Sequence, residues 1–393
     1  MYNNNIPVKE DVAIRWKRLQ EKMRENEVEA CLICSNVHLY YLTGEIFSGY
    51  FYLSVEGEPI CLMKRQSPFR NDIQSLLIRK PEDIPALFQD HNISFPKSIL
   101  LEGDQLSYNE FLRLQKIFPV EVKPNGTALL RTLRMIKTPW EIEQLRLSAR
   151  KHTEVYAQIP SCFRRGMTDV SFQTELEKRI RENGSIGIFR GFGSNMEIHM
   201  GSILAGDNAS SVSPYDFALG GGGVHPSAPI GANGTLMQDG TTVMVDMAGN
   251  YTAYISDMTR TFAIGKVPTI AYRAHQVSID IQNKIVEISR PGTACADLYA
   301  LSLQMSQEAG LAAFFMGTDF QAKFVGHGLG IEINEPPVLT GRSKDLLQEN
   351  MTLALEPKFV LPGIGAVGIE NTFLVTSDGL EKLTLAEEKI IEL

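Results

Sequence analysis

Cysteine is scarce in this chain. Its five cysteines, Cys31, Cys34, Cys61, Cys162 and Cys295, are odd in number and scattered over 393 residues, which fits reduced thiols better than a disulfide framework. Cys31 and Cys34 have the spacing of a zinc half-site or a redox pair, but no second such pair and no neighbouring histidines complete it. The run Ala30 to Cys34, closed by Ser35-Asn36, reads instead as a core strand with two buried thiols. Long apolar runs are missing as well: nothing approaches the ~20 residues of a membrane span. The opening Met1-Tyr2-Asn3-Asn4-Asn5 lacks the cationic stretch and apolar core of a signal peptide, so a cytoplasmic protein is expected. Blocks of like charge are also absent, with 46 acidic against 38 basic residues. That argues against a nucleic-acid or membrane surface and favours a small, neutral or cationic substrate.

Glycine is abundant, yet its clusters are not nucleotide loops. Gly220-Gly221-Gly222-Gly223 is followed by no Gly-Lys-Ser or Gly-Lys-Thr, and in Gly326-His327-Gly328-Leu329-Gly330 the third fingerprint glycine would have to stand where Ile331 does. Both clusters suit turns or a close approach of backbone to a site.

A chain of this length predicts two domains, because single cores stop growing near ~250 to 300 residues. Apolar Ile14, Leu19 and Met23 predict a helix from Val12 to about Asn26, followed by the strand at Ala30. Strands at Tyr50 to Val55, Ile60 to Met63 and Ser98 to Glu102, with helices at Pro81 to Asp90 and Tyr108 to Phe118, make the first domain α/β. It is expected over residues 1–130, with a second domain over 131–393. Pro124-Asn125-Gly126 marks the boundary. Beyond it Thr138-Pro139-Trp140-Glu141 is a capping box with proline in the first turn, predicting a long helix toward Ile159.

Four acids between residues 246 and 370 stand out. Asp246 and Asp257 lie in β-rich segments, Thr242 to Ala248 and Tyr251 to Ile264, on either side of Gly249-Asn250, so a hairpin is expected to bring them together. Glu356 and Glu370 flank Pro362-Gly363, and their midpoint falls on residue 363, which predicts that they face one another. Carboxylates amid Val, Met, Ile and Leu cost several kcal/mol unless paired or ligating. The alternative to a metal is a compensating cation, for which Lys358 is the only nearby candidate. His327 lies between the pairs. Oxygen donors with one imidazole suit divalent Mn, Co or Fe and the generation of a metal-bound hydroxide. Of the other histidines, His38, His91, His152 and His275 read as helix, loop or strand surface, and His225, before Pro226, is the one singled out for function.

The string from Asp246 through Ser256-Asp257-Met258-Thr259-Arg260, then Gly326-His327-Gly328, Leu355-Glu356-Pro357 and Gly368-Ile369-Glu370-Asn371, resembles the pita-bread metallopeptidases: Xaa-Pro aminopeptidase, prolidase, methionine aminopeptidase and creatinase. Tyr41-Leu42-Thr43-Gly44 is similar to a recurring tag of the creatinase-type N-terminal domain. The resemblance implies an α+β fold with a pita-bread catalytic domain after that smaller α/β domain, and a homodimer. It implies two divalent ions per chain, manganese first among Mn, Co, Fe and Zn. Asp246 would be bidentate on one ion, Asp257 and Glu370 would bridge, His327 would bind one ion, and Glu356 would be both ligand and proton shuttle. The long N-terminal domain favours the Xaa-Pro branch.

Three positions depart from that branch, which typically has a second histidine where Asn334 stands, a tyrosine at Val360 and an arginine at Gly368. Asn334 is retained as a substrate-binding candidate, and His225 as a catalytic, substrate-side one. The expected function is hydrolysis of Xaa-Pro bonds through a hydroxide bridging two metals. A diverged hydrolase or lyase acting on a small non-peptide molecule, and a catalytically silent peptide-binding member, are the alternatives.

Overall fold

Residues 7–66, 73–193, 199–215 and 217–393 are described by the computed structural model; the Met1-Asn5 opening lies outside them. The chain divides into two units, one ending at Arg134 and the other formed by Met135–Leu393.

In the first unit the opening helix spans Lys9–Glu25 and buries Val12, Trp16, Leu19 and Met23. Ile14 faces outward, because the buried stripe runs through residues three and four apart and leaves position 14 on the far side. The sheet has six strands in the order Gln74–Leu77, Ile60–Met63, Gly49–Ser54, Ala30–Ile33, Ser98–Leu101, Glu121–Lys123. Its two edge strands are short and mostly exposed or half-buried, so neither has the apolar run that betrays a strand in sequence. Ala30–Ile33 is central, antiparallel to one neighbour and parallel to the other. Cys31 is buried on it, Cys34 follows it, and burial pushes both thiols up, which leaves them unreactive. Glu102 is buried beside this strand, accepting from the amides of Cys34 and Ser35 and from the His38 ring.

In the second unit Thr138 accepts from the Glu141 amide at 3.3 Å and Glu141 accepts from the Thr138 amide at 2.9 Å. The capping box starts the helix Pro139–Tyr156, and the chain continues to Ile159 and beyond as a short tight helix. Helices Thr269–Ile288 and Cys295–Glu308 supply Ile281, Ile285 and Leu298 to a large apolar core against Leu353, Leu355, Phe373 and Val375. Two sheets carry the acids. One runs Ile391–Glu392, Thr259–Ala263, Thr242–Met247, Gly201–Ala205, and the other Glu335–Val338, Gly326–Gly328, Thr352–Leu355, Asn371–Val375, Leu380–Lys382.

The first hairpin turns later than its Gly249-Asn250 dipeptide suggests. Gly249 and Ser256 exchange backbone hydrogen bonds of 2.8 and 2.9 Å, so the turn lies between them. Gly249 is held extended because Ser148 donates to its carbonyl at 3.0 Å and accepts from the Tyr251 amide at 3.1 Å. Among the described residues no helix is long and apolar enough to cross a membrane.

Candidate metal centre

The second hairpin places its glutamates by register. Leu355 pairs with Asn371 in one ladder and Lys358 with Gly368 in the next, so Glu356 and Glu370 sit across from one another in the break between them. The first pair of acids is offset. Asp246 pairs with Thr259, and Asp257 lies diagonal to it, just before its own strand. The Asp257 amide donates to Thr372 Oγ1 at 2.8 Å, and Thr372 donates back to its carbonyl at 2.9 Å, which ties the two hairpins together. Buried Arg260 braces the same junction, donating to the carbonyls of Thr259 and Glu370 at 2.8 Å each.

His327 comes from the strand Gly326–Gly328, threaded between two partners. Its flanking glycines are a packing requirement: a Cβ at 326 would lie 2.4 Å from the Ala354 carbonyl and one at 328 would lie 2.2 Å from that of Pro336. The ring Nδ1 donates to the Gly328 carbonyl at 3.1 Å, which turns Nε2 toward the acids. Nε2 is 3.4 Å from Glu356 Oε1, 3.9 Å from Asp257 Oδ2 and 4.0 Å from Glu370 Oε1. Atoms each about 2 Å from a common ion are roughly 3 to 4 Å apart, so this spacing suits a shared cation.

A second group of acids surrounds Lys358. Its Nζ lies 2.7 Å from Glu356 Oε2, 2.8 Å from Asp246 Oδ2 and 3.3 Å from Glu370 Oε2. Each glutamate thus gives one oxygen to the ammonium and turns the other to the imidazole side.

The electrostatics divide in the same way. Glu356 is buried, but Lys358 and His327 outweigh the desolvation and hold it down to about 2. Burial, with Asp246 adding to it and His327 only partly offsetting it, pushes Asp257 up to about 7. Glu370 is driven well above the carboxylate range by burial and by Asp257. His327 is raised to about 9 against its burial by Glu356 and Asp257. Lys358 is likewise held well above its ordinary value, against burial, by Asp246, Glu356 and Glu370. Positive charge is therefore short on the Asp257–Glu370 side, where Glu370 Oε1 is a buried acceptor without a hydrogen-bond donor. Asp257, His327 and Glu370 present atoms within 4.8 Å of one another, and a divalent ion there would meet an orphaned oxygen, an imidazole nitrogen and an unneutralised carboxylate. The residues fit a metal.

Residues 143–377 match the family model for metallopeptidase family M24, and residues 15–136 match that for the creatinase/prolidase N-terminal domain. The chain belongs to metallopeptidase family M24. It is 23% identical over 384 residues to an Xaa-Pro dipeptidase of Pyrococcus furiosus, covering 96% of this chain and 99% of that one. An uncharacterized peptidase of Bacillus subtilis is 25% identical over 394 residues, covering 96% and 99%. Among solved structures, an X-Pro aminopeptidase from Thermotoga maritima superposes with a TM-score of 0.77 at 22% identity, covering 96% and 99%. An Xaa-Pro dipeptidase from Bacillus anthracis gives 0.79 at 22%, covering 97% and 100%. The fold is thus the α+β pita-bread metallopeptidase domain preceded by a creatinase-type domain, and as an M24 member the chain is a metallopeptidase that uses divalent metal.

Within this M24 chain the other singled-out residues lie differently. His225 is exposed, and its Nδ1 is 2.8 Å from Ser227 Oγ inside its own turn; among the described residues it does not join either group of acids. Asn334 pairs with backbone: its Oδ1 accepts from the Phe192 amide at 2.6 Å and its Nδ2 donates to the Phe192 carbonyl at 2.8 Å. Val360 is buried against Leu204, Leu219, Met244 and Ala366. Three histidines read as surface are interior: His38, His152 and His275 are each at most 3% exposed. Their rings meet partners distant in sequence, Glu102, Ser256 and the Glu388 carbonyl, which no local pattern reveals. Lys358, the compensating cation named from sequence, meets both glutamates and Asp246. The signal was a lone lysine opening the apolar strand Lys358–Leu361 two residues after Glu356, hence on the same side of the chain.

Proposed function

We propose that this M24 member cleaves the bond preceding proline in small peptides, as an Xaa-Pro dipeptidase or aminopeptidase. The observation that carries the reading is the orphaned Glu370 Oε1 facing Asp257 and His327, a cation-deficient triad on a fold shared with Xaa-Pro peptidases. The naming of relatives as Xaa-Pro dipeptidases supports the substrate class. A divalent ion held by Asp257, His327 and Glu370 would supply Lewis-acid polarisation of a carbonyl and activation of water. Oxygen donors with one imidazole favour manganese, with cobalt, iron and zinc as substitutes.

Glu356 is the proton carrier in this reading. Lys358 keeps it ionised at neutral pH while its Oε1 stays on the His327 side, so it begins as an acceptor able to pass a proton to the leaving nitrogen. Asn334 acts by holding the backbone at Phe192 rather than by touching substrate. No chemical role is proposed for His225. A homodimer, which the resemblance to the pita-bread peptidases implies, completes the reading.

The test is proline release. Protein loaded with Mn(II) is given a panel of Xaa-Pro dipeptides and Xaa-Pro-Xaa tripeptides, and hydrolysis at the prolyl bond is expected. Metal-loaded protein that hydrolyses none of them, yet turns over a non-peptide amide or ester, would instead establish the diverged hydrolase.

A further inference from the structure

We propose that the centre takes a single divalent ion, and that the Lys358 ammonium is the built-in occupant of the second cation position, among Asp246, Glu356 and Glu370. The inference rests on the metallopeptidase reading and concerns how many ions that site holds.

Two groups of acids could each hold an ion on spacing alone: Asp257, His327 and Glu370, and Asp246, Glu356 and Glu370. Only the first is open. In the second, Lys358 Nζ stands 2.7, 2.8 and 3.3 Å from one oxygen of each carboxylate. An ammonium has three N–H donors, so every donor has its own acceptor and the three oxygens are already engaged. A metal needs those same oxygens at about 2.0 to 2.2 Å, which cannot be met while nitrogen lies among them.

Lys358 is also held where it is. Its side chain is 0% exposed, its carbonyl accepts from the Met316 amide at 2.8 Å, and its backbone pairs with Gly368. A Cβ at Gly368 would fall 2.8 Å from Lys358 Cα and 3.1 Å from its Cγ, so the missing side chain is what gives the lysine its path. Swinging it out would leave a buried cation without partners and three carboxylates without a cation, each costing several kcal/mol.

Lys358 is a positioning residue here. It fixes which oxygens of Glu356 and Glu370 face the ion, and it lies on the far side of both from His327.

The experiment counts metal. Native protein, Lys358→Ala and Asp246→Asn are saturated with Mn(II), desalted, and analysed by elemental analysis and electron paramagnetic resonance. The native chain should hold a single Mn(II) with the spectrum of an isolated ion. Lys358→Ala should take up a second and show exchange coupling. Asp246→Asn, whose side chain accepts from the lysine, should keep the single ion. Two ions in the native chain, or no gain in folded Lys358→Ala, overturns the proposal while leaving the metallopeptidase reading intact. Failure of every form to bind Mn(II) overturns both. If Lys358→Ala does not fold, the native count and Asp246→Asn still decide it, because loss of an ion in Asp246→Asn means that this aspartate ligates metal.

Discussion

Gly368 stands directly across the strand pair from Lys358, and the space its side chain would need is taken by the lysine. At φ +151° a Cβ there would also meet the Pro357 carbonyl at 2.6 Å. Gly368→Ala should therefore lose about 2 kcal/mol or more, from backbone strain and the displaced strand. Gly363→Ala, at the open turn of the same hairpin with φ +77° and nothing near its Cβ, should lose only about 1 kcal/mol. Denaturant unfolding of both variants checks this; equal losses would mean that Lys358 does not need the space.

Replacing Glu356 by Gln keeps the shape of a side chain that touches Lys358 and faces His327, but removes its proton-accepting charge. Turnover should fall by about 100-fold to 10,000-fold with little change in circular dichroism. Full activity in Glu356→Gln would take this residue out of the chemistry.

Metal should stabilise the fold, because a bound ion relieves the crowded Asp257 and Glu370 carboxylates. Mn(II) at a hundred times its Kd is worth about 2.7 kcal/mol, read as a rise in Tm over the chelated protein. Asp257→Asn should abolish that rise while melting no lower than native in chelator, since it deletes a buried acid that burial and Asp246 already disfavour. A variant that still responds to Mn(II) would show that Asp257 is not a ligand.

His152 sets an acid-side stability slope. Burial holds its imidazole down to about 3, so the unfolded chain takes up this proton near pH 6.5 while the folded chain refuses it. More protons on the unfolded state means that stability falls as pH drops from about 6.5 toward 3, by up to about 1.4 kcal/mol per pH unit. His152→Phe should be less stable than native at pH 7, having lost the 3.0 Å contact with Ser256, yet should lose less between pH 6.5 and 4.5. Parallel unfolding curves in that window would assign the slope to other groups.

Much of the centre was legible because buried carboxylates are conspicuous: Asp246, Asp257, Glu356 and Glu370 interrupt apolar strands that tolerate charge only with a counter-charge. The Glu356–Glu370 register could be counted from a single tight turn at Pro362-Gly363. The Asp246–Asp257 register could not, since Ser148, on a helix about a hundred residues earlier, holds Gly249 in the ladder and moves the turn. The interior histidines escaped for the same reason, their partners being far along the chain.

By itself, then, the order of residues determined the helix started by Thr138 and marked Asp246, Asp257, His327, Glu356 and Glu370 as candidates for holding a cation, because capping and the cost of buried charge act locally. Which cation meets which oxygen was decided only by the tertiary structure. Lys358 was one of two ways to balance the glutamates until folding set its Nζ against Asp246, from the other hairpin, and left Glu370 Oε1 facing His327 without a donor. Distances between side chains on separate strands, not their spacing in sequence, separate an ammonium from a metal.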